Sequence, residues 1–324
     1  MGAAKSLAPV VAGAARARLA LHAVVISTAA DLKSWQPGAK RPEEPTVDEI
    51  AEAGRTAFPG VKLGGGMLST FTELNRKRPK AELFDFVTHT TCSIVHAADD
   101  RSVMETLETL PAIIASTRDM IARRPYHIGP SAIAARDNPY GKGVADNPAN
   151  SRVCLTNKDP RQRGLFNAAW TLGYVAACAY GGVAAAAMGA ATGPLGFIHG
   201  RPGDRTPYFD SIDGPAVYPA FHVIAGLARG VGRRLIEMRA AAAGRAAALA
   251  WIEGDQIVLW LANLTAVPMK LRMEGLGGDR PRISVIDAAN FERAARNPDA
   301  LNALARPFNG AEAALDAYAV ARIE

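Results

Sequence analysis

The segment LFDFVTHTTCSIVHAADDRSVMETLETLPAIIASTRDMIARRPYHIGPSAI (83–133) contains a complete strand–helix–strand unit. Residues 83–91 form an apolar run of the kind found in a strand that is buried on both faces. After a polar loop, residues 102–124 have the pattern of a long helix, and 125–133 return to a strand pattern. Two strands joined by a helical crossover of this length lie parallel in one sheet. The segment therefore predicts an α/β fold built on a parallel sheet.

The same alternation continues on both sides of this unit and gives five strand–helix repeats. The predicted strands are 19–27, 60–67, 83–91, 125–133 and 182–190. A closed barrel of this type needs eight such units in about 250 residues. We therefore predict a partial (β/α)8 TIM-type barrel over 1–240 that holds about strands 4–8. An open barrel exposes strand edges, so we expect self-association or a partner chain to complete it, or a longer parent protein.

The pattern changes towards the end of the chain. A helical segment, 216–241, is followed by 247–265, which has the pattern of two strands joined at Glu253–Gln256. Strand patterns continue at 269–276, 282–287 and 313–324. These residues predict a small antiparallel, sandwich-like β-domain over 241–324.

Composition narrows the classes of function. The chain has 324 residues, of which 49% are hydrophobic and 21% charged, as in an ordinary globular enzyme. Its formal net charge of +6 would permit an anionic ligand, but Lys and Arg are spread along the chain and no aromatic-basic module occurs, so we expect no nucleic-acid partner. Three widely spaced cysteines, Cys92, Cys154 and Cys178, fit neither a disulfide framework nor a zinc site, which favours a reducing, cytoplasmic location.

Two apolar stretches could be mistaken for targeting or membrane segments. In the first 27 residues Arg16 and Arg18 interrupt the apolar run, so we predict a helix followed by a strand and no signal peptide. The run 174–188 is shorter than the roughly 20 residues of a membrane span and contains Gly181 and Gly182. We expect no membrane segment.

Titratable side chains follow several predicted strands, where parallel barrels hold their active sites. Glu73, after the second strand, is a candidate general acid or base, because a partly dry pocket raises the pKa of a carboxyl group. His89 and His96, at and after the end of the third strand, are candidates for proton transfer near neutral pH. The alternatives stay open at this point: Glu73 could bond loop amides, and a lone histidine is more often structural.

Other polar residues in the same loops are candidates for binding substrate. Arg136 could anchor a carboxylate or a lactone-derived anion through its planar guanidinium, or form a loop salt bridge. Asn138 could help to hold an oxyanion, and Asp99 could bind sugar hydroxyls or cap the following helix. The full predicted set is Asp31, Asn75, Asp99, Arg136 and Asn138.

Motifs for metals, cofactors and serine nucleophiles do not occur. The sequence has no HExxH, no P-loop, no dinucleotide fingerprint and no GxSxG. His89 and His96 also lack the i, i+4 spacing of a compact zinc motif. We therefore expect neither a metal nor a cofactor.

Four segments resemble the D-apionate lactonase family. They are LGGGMLSTFTELNRKRP (63–79), FVTHTTCSIVHAADDRSVMETL (86–107), IGPSAIAARDNPYG (128–141) and DPRQRGLFNAAWTLGYV (159–175). The resemblance implies a hydrolase that opens the sugar lactone D-apionolactone to D-apionate in apiose catabolism. It also implies a glycoside-hydrolase-like barrel followed by a β-domain. The segment NLT at 263–265 resembles a part of that terminal domain.

Two alternative functions stay open beside lactone hydrolysis. A glycoside hydrolase would use two carboxyl groups, but the late strand end GAATG (189–193) has no acidic residue to supply the second. A non-catalytic carbohydrate-binding protein is the other alternative, because the barrel is expected to be incomplete.

Overall fold

The structure is a computed structural model that describes residues 3–78, 80–200, 206–238, 244–275, 281–309 and 311–324. Its first part is a parallel sheet of five strands in the order β1-β2-β3-β4-β5. In chain order the elements of this part are α1 Ala3–Arg16, β1 Ala23–Val25, α2 Val47–Ala57, β2 Lys62–Met67, α3 Phe71–Lys77, β3 Phe86–Cys92, α4 Asp100–Met120, β4 Tyr126–Ala132, α5 Leu165–Tyr180 and β5 Ala185–Met188. The predicted α/β class is confirmed, with five parallel strands where a closed barrel has eight.

Local sequence signals explain where two of these helices begin. The hydroxyl of Thr46 accepts a hydrogen bond from the backbone N–H of Glu49, and the Glu49 carboxylate accepts one from the backbone N–H of Thr46. This capping box satisfies two backbone donors at the start of α2. The carboxylate of Asp99 caps α4 by accepting from the N–H of Ser102 at 2.9 Å.

The two faces of the parallel sheet differ in what covers them. On one face Leu63 packs with residues of α2, and Val87 and Ile128 pack into the core that contains α4 and α5. On the other face Phe86 stacks on His127, with ring centroids 4.0 Å apart. Phe86 lies directly over Gly64, where an added Cβ would come within 2.2 Å of the phenyl ring.

The second part of the chain is mainly antiparallel. Its elements are β6 Ile198–His199, β7 Ala216–Val217, α6 Pro219–Ala228, β8 Arg234–Ile236, β9 Ala246–Glu253, β10 Gln256–Asn263, β11 Met269–Arg272, β12 Arg282–Ile286, α7 Phe291–Arg296, α8 Ala300–Ala303, β13 Arg306–Pro307, β14 Glu312–Leu315 and β15 Val320–Ile323. Six strands form one sheet in the order β13-β12-β15-β10-β9-β8, β11 pairs with β14, and β6 pairs with β7. The predicted hairpin at Glu253–Gln256 is confirmed, since Gln256 is paired with Glu253.

The six-stranded sheet lies between two layers. Trp260 points to the barrel side, where Gly226 of α6 leaves room for its indole ring. Leu259 and Leu261 point the other way and pack with Leu315 of β14. The sandwich-like domain thus buries apolar side chains on both faces of one sheet, as alternation along β10 requires.

Two predicted elements are wrong in their extent. The predicted helix 216–241 is helical only in α6, because Gly232 has a positive φ of 77° and the chain then enters β8, which pairs with β9. The predicted strand 313–324 is two strands in different sheets, separated by a turn in which Tyr318 has φ of 56°. Residues 239–241 and 276 of the predicted segments lie outside the described residues.

Candidate active site at the carboxyl ends of the parallel strands

The carboxyl ends of the five parallel strands meet at one edge of the sheet, and the loops that follow them form a polar surface. Contacts between loops hold this edge together: the backbone N–H of Ser34 donates to the carbonyl of Pro139 at 2.9 Å, and the Lys33 ammonium donates to the carbonyl of Asn138 at 2.8 Å. The loops after β1 and β4 are therefore in direct contact. Polar side chains of several strands are brought close together, as expected for this sheet edge.

Glu73 lies buried in a charged cluster after β1 and β2. Its carboxylate accepts hydrogen bonds from the Ser34 hydroxyl at 2.7 Å, from the Arg76 guanidinium at 2.5 Å and from the backbone N–H of Trp35 at 3.3 Å. Glu73 is only 3% exposed. Its oxygens are thus occupied by partners of this chain.

Asp31 belongs to the same cluster and is equally well partnered. Its carboxylate accepts from Lys77 at 2.6 Å and from Arg41 at 2.7 Å. Arg41 also pairs with Glu44 at 2.8 Å. Burial alone would raise the pKa of the Glu44 carboxyl group, but hydrogen bonds from Thr28 and Arg41 lower it below its ordinary value. We call this set the ion-pair cluster: Asp31, Arg41, Glu44, Glu73, Arg76 and Lys77, three acids with three bases.

His89 lies on the helix-covered face of β3 and has no exposed surface. Its Nε2 is 2.6 Å from the hydroxyl of Tyr126, and its Nδ1 is 2.9 Å from the carbonyl of Thr90. Burial lowers the pKa of His89 to about 4, although the bond to Thr90 acts in the opposite direction. At neutral pH the imidazole is therefore neutral and closed off from any ligand.

His96 and Arg136 are both exposed at the carboxyl edge. The His96 ring is 6.5 Å from that of Tyr140, in the loop after β4. Arg136, in the same loop, donates to the carbonyl of Leu68 at 3.0 Å and points the rest of its guanidinium to solvent. Both candidates are therefore accessible to solvent.

The remaining three candidates make local bonds. Asp99 caps α4, as described above. The carbonyl oxygen of the Asn75 amide accepts from Arg78 at 3.0 Å within its own helix end. The Asn138 amide donates to the carbonyl of Gly143 at 2.9 Å and accepts from the N–H of Tyr140 at 2.9 Å, so it shapes the loop after β4.

Two buried hydroxyls near Arg136 were not among the sequence candidates. Ser69 Oγ and Thr70 Oγ1 have no hydrogen-bond partner among the described residues. They line a cavity of about 20 Å³ together with Arg136 and Cys92, enough room for one water molecule. Burial raises the pKa of Cys92 to about 11, so this residue is a neutral thiol at neutral pH. No motif marks two adjacent hydroxyls after a strand as a site.

A much larger pocket, of about 770 Å³, lies between the loops that follow β4 and β5. Its volume is in the range of pockets that hold small ligands. We call it the loop pocket, lined by Asp146, Asn147, Pro148, Ala149, Asn150, Lys158, Arg163, Gly193, Pro194, Gly200, Thr206, Pro207 and Tyr218.

The ribbon of β6 and β7 supports one side of this pocket. The hydroxyl of Tyr218 lies 3.3 Å from Nδ1 of His199, and Nε2 of His199 lies 3.8 Å from the carboxylate of Asp210. Burial raises the pKa of Tyr218, while the nearby Arg163 acts to lower it. The Tyr218 hydroxyl is therefore protonated at neutral pH and can donate or accept a hydrogen bond.

Within the described ranges, no group of three His, Cys, Asp or Glu side chains is arranged so that it could hold a metal ion. The described helices also include none with the length and apolar character that a membrane crossing requires.

Two family models match the chain over separate ranges. The model of the D-apionate lactonase TIM barrel domain matches residues 1–232. The model of the D-apionate lactonase C-terminal immunoglobulin-like domain matches residues 243–323. The predicted barrel and β-domain are thereby confirmed.

A similar protein is D-apionate lactonase of Brucella anthropi, 46% identical over 195 residues, which are 59% of this chain and 32% of that protein. The chain thus matches about a third of the length of this relative.

Solved structures show the fold at low sequence identity. A family GH30 endoxylanase from Clostridium papyrosolvens is similar with a TM-score of 0.52 and 12% identity, over 99% of this chain and 69% of that one. An arabinose-bound α-L-arabinofuranosidase has a TM-score of 0.54 and 10% identity, over 85% of this chain and 41% of that one. These similarities confirm a glycoside-hydrolase-like barrel fold and carry no information on activity. The two family models together span nearly the whole sequence. The chain belongs to the D-apionate lactonase family.

Proposed function

We propose that this chain opens D-apionolactone to D-apionate in apiose catabolism and is a carboxylic-ester hydrolase. The observation that carries the proposal is the 46% identity to a D-apionate lactonase over 195 residues.

The reaction sets clear demands on the site. A water molecule loses a proton to a base and adds to the lactone carbonyl carbon, which gives a tetrahedral oxyanion. The ring C–O bond then breaks, the released alkoxide takes up a proton, and the product is a hydroxy acid that ionises to a carboxylate. The site must therefore provide a base and hydrogen-bond donors for the oxyanion.

Among the sequence candidates, His96 and Arg136 are the two that we propose for this chemistry. Both side chains are exposed at the carboxyl edge, so water and a lactone can reach them. Next to Arg136, the buried hydroxyls of Ser69 and Thr70 line a cavity with room for one water molecule. We assign proton abstraction to His96, and contacts with lactone oxygens to Arg136.

We assign structural work to the other candidates. Glu73 and Asp31 fix the loops after β1 and β2 through the ion-pair cluster. His89 ties β3 to Tyr126 of β4. Asp99, Asn75 and Asn138 stabilise a helix start, a helix end and a loop.

A glycoside hydrolase is less well supported by the geometry. That mechanism needs two carboxyl groups about 5 to 9.5 Å apart around the scissile bond. Asp146 is the one acidic side chain among the described residues that line the loop pocket.

The predicted cytoplasmic location and the predicted association with a second chain stay proposals. Within the part of the chain that the structure describes, β1 and β5 each have one open edge, and there a further strand would pair. Sedimentation of the purified chain at several concentrations measures such association.

Acid release from D-apionolactone, followed at constant pH with the purified chain, tests the proposed function. We expect His96→Asn to lower kcat roughly 100-fold, as the loss of a general base does. Arg136→Met should lower kcat/KM roughly tenfold through a lost charged hydrogen bond. His22→Asn is the matched control, because His22 is exposed at the opposite end of the sheet.

Each outcome of this experiment decides a separate point. Binding of the lactone without acid release by the unmodified chain would exclude the hydrolase and favour a carbohydrate-binding protein. Acid release that is equal in His96→Asn and His22→Asn would remove His96 from the mechanism and leave the function in place.

A further inference from the structure

Two arginines just before α5 differ in how their charge is balanced. Arg161 is 6% exposed and pairs with Asp159 at 2.6 Å and with Asp100 at 3.1 Å. Arg163, two residues later, lines the loop pocket and donates to the neutral amide oxygen of Asn150 at 2.5 Å. Among the described residues, no carboxylate forms an ion pair with Arg163.

The pKa directions of the two guanidinium groups agree with this geometry. Burial alone would lower the pKa of Arg161, but hydrogen bonds to Asp159 and Asp100 raise it above the ordinary value. Burial lowers the pKa of Arg163, and the more distant charges of Asp159 and Asp210 do not restore it. Arg163 is thus a half-buried cation for which the described residues supply an amide oxygen and no close counter-ion.

The pocket around Arg163 has the space and the donors that an acid with several hydroxyl groups requires. Its volume is about 770 Å³, and the Arg163 guanidinium is in its lining. The single acid in the described lining, Asp146, accepts from the backbone N–H of Asn147 at 2.9 Å. The hydroxyl of Tyr218 also lines the pocket and can bond to a sugar hydroxyl.

We propose that the loop pocket binds the carboxylate of a small polyhydroxylated acid, with the Arg163 guanidinium as its anchor. A planar guanidinium offers a carboxylate two parallel N–H donors, which a lysine cannot do. The identity of the acid rests on the proposed function, because ring opening of a neutral lactone creates this anion. Arg163 thus recognises the product, whereas Arg136 contacts the uncharged substrate.

Calorimetric titration of the purified chain with D-apionate tests the assignment. We expect saturable binding to the unmodified chain and an affinity roughly 10- to 100-fold weaker in Arg163→Met, as for a lost hydrogen bond to a charged group. Arg306→Met is the matched control, because it removes the same charge from an exposed position on β13 and should bind like the unmodified chain. Equal binding by Arg163→Met and Arg306→Met would overturn the inference.

Thermal unfolding without ligand separates a binding role from a structural one. If the role of Arg163 is to bind an anion, Arg163→Met is at least as stable as the unmodified chain without ligand. D-apionate then raises the Tm of the unmodified chain only. A lower Tm of ligand-free Arg163→Met with an unchanged Tm rise in D-apionate would overturn the inference. An equal rise with inorganic phosphate would overturn the assignment to a sugar acid.

Lactone hydrolysis measured on the same preparations keeps the two proposals apart. Hydrolysis without D-apionate binding removes the loop pocket as the acid site and leaves the lactonase function. Binding that depends on Arg163, without hydrolysis, retains the acid site and removes the lactonase function.

Discussion

The ion-pair cluster after β1 and β2 and the loop pocket after β4 and β5 both contain charged groups at the same edge of the sheet. In the cluster, Asp31 and Glu73 are each 3% exposed and each has a basic partner within 2.7 Å. In the loop pocket, Arg163 bonds to an amide. A charge that the chain itself neutralises stabilises the fold, whereas a half-buried charge with no carboxylate partner among the described residues can be neutralised by a ligand. The density of titratable residues alone therefore does not locate a site.

The largest expected effect on stability comes from Arg161, which is ion-paired with Asp159 and Asp100 close to the loop pocket. Arg161→Met leaves Asp159, which has no exposed surface, without its partner and should lower the free energy of unfolding by about 4 kcal/mol. Arg163→Met, the adjacent comparison, should cause no loss. Urea unfolding of both variants measures the difference in the free energy of unfolding. Equal losses would contradict the distinction between an arginine paired with carboxylates and one bonded to an amide.

Glu73 tests the cluster itself. Glu73→Gln keeps the shape of the side chain and removes the charge opposite Arg76, so we expect a loss of about 3 kcal/mol in the free energy of unfolding, with Arg76 partly hydrated. The kcat for lactone opening should change less than tenfold. A loss of kcat of roughly 100-fold or more at unchanged stability would make Glu73 the catalytic base instead.

His89 gives the smallest effect, and it appears only on acidification. The pKa of His89 is about 4 in the folded chain against 6.5 unfolded, so below pH 6.5 the unfolded chain takes up the proton and the folded chain does not. Stability from this group is complete above pH 6.5 and decreases as the pH falls towards 4, by about 2 kcal/mol at pH 5.

Urea unfolding at pH 7 and pH 5 measures how much His89 contributes to the pH dependence of the free energy of unfolding. His89→Gln should be less sensitive to this pH change than the unmodified chain by about 2 kcal/mol. The unmodified chain and His89→Gln must be compared, because burial also lowers the pKa of His127 and His222, and both contribute to the pH response of either protein. An identical pH response would show that the imidazole reaches solvent, which would return it to the list of proton-transfer candidates.

Elements with strong local signals could be predicted from the sequence. The cap that Asp99 forms on α4 and the hairpin at Glu253–Gln256 depend on neighbours in the chain. The helix predicted at 216–241 ended early because β8 gains pairing partners from β9, and that gain comes from residues distant in sequence. Local patterns are reliable where local bonds decide the structure.

The candidate site was harder to predict for the same reason. A position at or after a strand end identified His89 and His96 equally. His89 lies buried on the helix-covered face of β3, whereas His96 is exposed in the loop after β3, so only His96 is accessible to a ligand. Arg161 and Arg163 stand in one short motif, and only tertiary contacts show that one has carboxylate partners and the other an amide.

The glycines of β2 restrict how the chain can be re-engineered. An added Cβ would lie 2.2 Å from the Phe86 ring at Gly64 and 1.9 Å from the carbonyl oxygen of Thr88 at Gly66, where φ is 137°. In a saturation mutagenesis library both positions should tolerate almost no replacement, although neither has a side chain to lose. A library that seeks new ligand binding should therefore leave this strand unchanged and diversify the loops after β4 and β5.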